Sequence, residues 1–184
     1  MWMPSFNKQT RISPRKMVLL ALMITLSMGL HAAESMMPLL FPMPGIKLGL
    51  ANIVTVICLF IFYPRDVFII VTLRVLLVGF VAGSFLTPGF WISGSGAILS
   101  FLAMAAACRF PKYSAVGISL VGAVAHNIGQ LAMVSVLMGN QAVFYYLPWL
   151  LVWAVPMGLL TGFSAKAAIK ALRKTGLDGT MGMY

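Results

Sequence analysis

The 184-residue chain has only three acids, Glu34, Asp66 and Asp178. Scattered as they are, they cannot form the aspartate clusters that hold magnesium against a pyrophosphate, because a hard cation needs several oxygen ligands at one point. Cysteine is equally scarce, with Cys58 inside one apolar run and Cys108 at the edge of another. That placement offers neither a disulfide framework nor a metal-ligand set, so both read as small buried apolar side chains. The two histidines, His31 and His126, belong to no HExxH or Ser-His-Asp arrangement, and no CxxC exists. Metal-assisted and nucleophilic catalysis are therefore not provided for. A Walker-type phosphate loop is also missing, since Gly94-Ser95-Gly96 has neither the preceding strand nor the lysine. Catalysis by this chain alone is excluded, and neither a cofactor nor a metal is expected.

What is abundant is apolar surface. With 61% hydrophobic and 9% charged residues and a mean hydropathy of +0.99, the chain reads as an integral membrane protein. A net charge of +10 in a soluble protein would suggest nucleic acid. Here the basic residues sit at the ends of apolar runs, so the partner is the lipid bilayer and not nucleic acid.

In order, residues 1 to 16 form a basic leader in which Pro4 and Pro14 argue against a long helix. One membrane domain, 17–174, follows, with helices expected at about 17–37, 46–62, 66–85, 92–108, 113–138 and 144–165, and a flexible tail at 175–184. The first segment has the basic start and short apolar core of a signal peptide, but its length of about 20 residues suits a span. Pro38, Pro42 and Pro44 then hold the backbone extended. The second segment is short for a span, so the loop before it is expected to dip into the protein. Pro148 and Pro156 are candidate kinks in the sixth, and Gly79 with Gly83 makes a GxxxG packing face on the third.

Six spans put both termini on one side. The leader, Arg65, Arg109, Lys112 and the cluster Lys166, Lys170, Arg173 and Lys174 place 11 of the 13 basic residues at one face, which the positive-inside rule makes cytoplasmic. Lys47 and Arg74 are the exceptions. Arg74 interrupts the apolar run RDVFIIVTLRVLLVGFVAGS about 12 Å above Asp66 at 1.5 Å per residue. A guanidinium at that depth needs a partner.

Other polar residues fall at related depths. Ser27, His31, Glu34 and Ser35 share one side of the first helix, and Lys47 and Asn52 stand on the second. On the fifth, His126, Asn127 and Gln130 occupy an arc of roughly 100°. These residues define a polar interior whose formal charge, Lys47 and Arg74 against Glu34, is one positive, suited to an anionic or phosphate-bearing ligand. Lys47, Asn52, Arg74, His126, Asn127 and Gln130 are the candidate ligand-binding residues, with Glu34 and His31 secondary. The alternative is structural: Arg74 pairs with Glu34 or with carbonyls, and the amides bond helices together.

The motifs PGIKLGLANIVT (Pro44 to Thr55) and GAVAHNIGQL (Gly122 to Leu131), with the arginine-bearing third segment, resemble the bacterial family called heptaprenyl diphosphate synthase component I, also labelled Gx transporter. The resemblance covers most of residues 17 to 174. That family is in turn similar to the substrate-binding S components of energy-coupling-factor transporters. The resemblance implies an all-α, six-helix, S-component-like bundle in the inner membrane with an outward-facing site for a small anionic, isoprenoid or quinone-related ligand. It also implies partners: a transmembrane coupling subunit with ATPase subunits or, in the alternative, a soluble prenyl synthase or a redox protein of extracytosolic electron transfer. S components often dock through a small-xxx-small pattern on the first helix. The nearest matches here are Ala21 to Thr25 and Gly29 to Ala33.

Overall fold

The computed structural model describes residues 14–35, 49–110 and 113–174. The leader up to residue 13, the proline-rich loop with Lys47, and the tail 175–184 lie outside the described residues. All regular elements among those described are helical: α1 (Pro14–Ser35), α2 (Leu50–Ile61), α3 (Pro64–Val81), α4 (Pro88–Ala107), α5 (Ala115–Met138), a 3-10 helix (Gln141–Tyr146) and α6 (Leu147–Lys174).

Local chemistry fixes most of these ends. Pro64 and Pro88 open α3 and α4 in the first turn, where a missing N–H costs nothing. Thr87 accepts a hydrogen bond from the Phe90 N–H, and Ser114 does the same for Gly117 at the start of α5. Pro14 likewise begins α1 rather than preventing it. Pro148 stands in the first turn of α6, while Pro156 lies inside that helix.

Two elements differ from expectation. α2 has 12 residues, about 18 Å at 1.5 Å per residue, against a hydrocarbon core of about 30 Å. It starts late because Gly49, at φ 75°, takes the left-handed conformation that glycine alone adopts freely. α6 instead continues past Ala165 to Lys174. Ala165 and Ile169 are buried there while Lys166, Lys170 and Lys174 are exposed, so one face keeps packing after the lysines begin.

Four stretches are long and apolar enough to cross a membrane: Pro14–Glu34, Pro88–Ala107, Ala115–Met138 and Gln141–Leu172. Phe80, Val81, Leu102, Val136, Val152 and Leu160 are exposed on the bundle, as suits a surface solvated by lipid. The chain is thus a multi-pass membrane protein.

The bundle is unequal along its length. At one end, Cys58, Ile61 and Phe62 of α2 pack with Val67, Ala107, Ala115, Ala165 and Ile169 in one apolar core. Lys16 Nζ meets Asp66 Oδ2 there at 2.6 Å, joining the starts of α1 and α3, and Lys16 lies 5.9 Å from the Tyr63 ring centroid. Exposed Arg15, Arg65, Arg109, Lys166, Lys170 and Lys174 belong to these same helix ends. Toward the other end the described helices enclose a cavity.

Candidate functional site

The backbone N–H of Gly49 donates to Glu34 Oε1 at 2.6 Å, so the last turn of α1 holds the approach to α2. The first turn of α2 then delivers Ala51 and Asn52 into the bundle. Arg74 of α3 is only 7% exposed, and its Nη1 donates to the Ala51 carbonyl at 3.0 Å and to Ser27 Oγ at 3.3 Å. Carbonyl and hydroxyl thus orient the guanidinium, and neither bond uses Nε or Nη2. Among the described residues no carboxylate lies within ion-pair distance of Arg74. Glu34 acts on Arg74 through space only.

Small residues open the room beside it. A Cβ on Gly122 would stand 2.5 Å from Met104 Sδ and 3.1 Å from Asn52 Nδ2. A Cβ there would have to displace the flexible Met104 side chain and press on the Asn52 amide, so α5, α2 and α4 meet closely at that point. Ser100 Oγ donates to the Gly122 carbonyl at 2.9 Å and reaches Asn52 Oδ1 at 3.5 Å. Ser119 and Thr161 share a 2.7 Å hydrogen bond between α5 and α6.

The result is a cavity of about 290 Å³ whose polar wall includes His31 and Glu34 from α1, Asn52 from α2, Arg74 from α3, and His126 and Asn127 from α5. Val75, Val78, Phe90 and Met157 supply apolar wall. A few placed polar groups on an apolar lining is the usual make-up of a small-molecule site, at the lower end of the usual size. A cavity of about 150 Å³ holds one benzene, so this one holds on the order of a dozen heavy atoms.

Of the sequence candidates, Asn52, Arg74, His126 and Asn127 converge on the cavity, as do the secondary pair Glu34 and His31. Lys47 lies outside the described residues. Gln130 is buried against α4, where a Cβ on Gly96 would come 2.8 Å from its Cγ, and it is not part of the lining. Asn127 also has a structural duty, its Nδ2 donating to the Leu150 carbonyl at 3.2 Å. The GxxxG expectation divides as well. Gly79 packs under the Phe90 ring, whereas Gly83 is exposed with open space around it, because α3 has already ended at Val81.

Sequence reasoning missed the α6 wall, built by Ala154, Met157, Gly158 and Thr161. Its signal is faint: one hydroxyl and a glycine in an apolar helix. It also missed Phe90, whose ring both covers Gly79 and lines the cavity.

Neither the curated proteins nor the solved structures compared with the chain include a match. The family model described as heptaprenyl diphosphate synthase component I matches residues 23–168. That stretch begins within α1, ends within α6 and takes in all the described lining residues of the cavity, so the chain, a multi-pass membrane protein built around a buried arginine, belongs to the heptaprenyl diphosphate synthase component I family.

Proposed function

We propose that this chain is a substrate-capture subunit of the bacterial inner membrane that binds a small anionic ligand in its cavity from the outer side. Both termini are cytoplasmic in this reading, which follows the basic end of the bundle under the positive-inside rule. Energy comes from a coupling subunit with ATPase subunits, as in energy-coupling-factor transporters, or from a gradient. The observation that carries the reading is Arg74: buried, oriented by Ser27 and Ala51, and free of an ion-paired carboxylate among the described residues. A cation held in that way at membrane depth favours an anionic guest. Asn52, His126 and Asn127, with Glu34 and His31, complete the proposed site.

Cavity size bears on the ligand. On the order of a dozen heavy atoms fit, which admits a diphosphate on a short prenyl stub, or a quinone headgroup, and leaves a 35-carbon prenyl chain outside.

A second reading rests on the family description, which names a component of a synthase. With three acids in the whole chain, the protein in this reading is a non-catalytic membrane partner of a soluble prenyl synthase or of a redox protein. Mass spectrometry of the small molecules and proteins that copurify with the full chain separates the two. Capture predicts a small anion released on denaturation. A stoichiometric synthase or redox protein with no bound small molecule would favour the partner reading.

A further inference from the structure

Both histidines of the chain line the cavity, His31 from α1 and His126 from α5, together with Glu34 and Arg74. Resting on the reading of the cavity as an anion site, we propose that its ligand is a dianion taken up together with protons, which bind to His31 and His126.

The argument is one of charge. Among the described lining residues, Arg74 and Glu34 cancel when the imidazoles are neutral. A dianion entering that cavity would leave two uncompensated charges in a medium that solvates them poorly, at a cost of several kcal/mol. Each proton accepted by an imidazole removes one of those charges, and with both the described lining and its guest are together neutral. Anion and protons therefore favour each other, and the coupling is reciprocal by thermodynamic necessity. Imidazole is the side chain whose charge can change between about pH 5 and 8, so the linkage is tested across that range.

Among the described residues no other group competes for this role. α1 packs against α2 and α3, and α5 against α4, α6, α2 and the 3-10 helix. From α2 the titratable side chain is Cys58, fully buried in the apolar core on the Arg74 side of the helix and not part of the cavity lining. α3 supplies Arg74 to the cavity, while its Arg65 and Asp66 stand at its far end with Lys16. Between Pro88 and Ala107, α4 carries no charged residue. The charges of α6, Lys166, Lys170, Arg173 and Lys174, all follow Ala165, and the 3-10 helix offers Tyr145 and Tyr146. Of these residues, among those described, only Arg74 lines the cavity.

The test uses the full chain in nanodiscs, purified through a tag without histidine, and sulfate as the probe, because sulfate keeps its double charge throughout the range. Its affinity is measured at about pH 5.5 and about pH 8, and proton uptake on adding sulfate is followed in weak buffer near neutrality. The proposal expects binding about tenfold tighter or more at the acidic pH, uptake of between one and two protons per sulfate, and loss of the pH dependence in the double variant His31→Gln/His126→Gln. If that variant does not fold, proton uptake by the unaltered protein decides alone. Equal affinity at both pH values, or binding without proton uptake, overturns the proton linkage and leaves the anion site standing. Failure of sulfate to bind the folded protein at either pH overturns both.

Discussion

Arg74 and Gln130 are both polar residues buried in an apolar bundle, at 7% exposure each, yet they have different tasks. Arg74 lines the cavity, whereas Gln130 fills the seam between α4 and α5 beside Gly96. A Gln130→Met variant keeps the volume and is expected to leave ligand affinity within about twofold while changing stability by about 1 kcal/mol. Affinity measured on the variant beside thermal unfolding in the same detergent checks this, and a tenfold loss of affinity in a stable variant would put Gln130 back in the site. The sequence showed that an arginine among apolar residues needs a setting. Helical spacing could not divide His126 and Asn127 from Gln130, because a 100° arc spans both the cavity and the α4 seam. Nor could it say that the partners of Arg74 would be a hydroxyl and a carbonyl, Ser27 and Ala51, rather than Glu34.

Among elements, the α4 and α5 pair is held backbone to backbone. A Cβ on Gly129 would meet the Ser95 carbonyl oxygen at 2.8 Å and Gly96 Cα at 3.0 Å, and Ser95 Oγ already donates to the Gly129 carbonyl at 3.0 Å. Backbone cannot step aside as a side chain can, so Gly129→Ala is expected to destabilise the bundle by about 1 to 3 kcal/mol. The drop should appear in the unfolding midpoint, and an unchanged midpoint would mean that the helices separate freely. α1 and α3 are tied differently, through the largely buried pair Lys16 and Asp66. A double-mutant cycle with Lys16→Met and Asp66→Asn should return a coupling of about 1 kcal/mol, and additivity would show that the contact contributes nothing. Most elements were legible from proline, glycine and apolar run length. The late start of α2 was not, since its cause is a glycine conformation supported by a carboxylate 15 residues away. The continuation of α6 was also hidden, because its lysines masked a packing face carried by Ala165 and Ile169 alone.

For the molecule as a whole, the charges and the space lie at opposite ends. Among the described residues the basic helix ends surround a close-packed core, and Arg74, both histidines and Glu34 line a cavity toward the other end. A binding protein gains from that division, because the packed end holds the geometry while the cavity admits a guest. The central claim is that the guest is a small anion held by Arg74. The most direct test is the affinity of dimethylallyl diphosphate, of a size the cavity admits, for the unaltered protein and for Arg74→Ala, both in nanodiscs and both monodisperse with unchanged helix content. The account predicts saturable binding to the unaltered protein and a loss of at least about tenfold in the variant, corresponding to about 1.4 kcal/mol or more. Equal binding to a folded Arg74→Ala protein would contradict it.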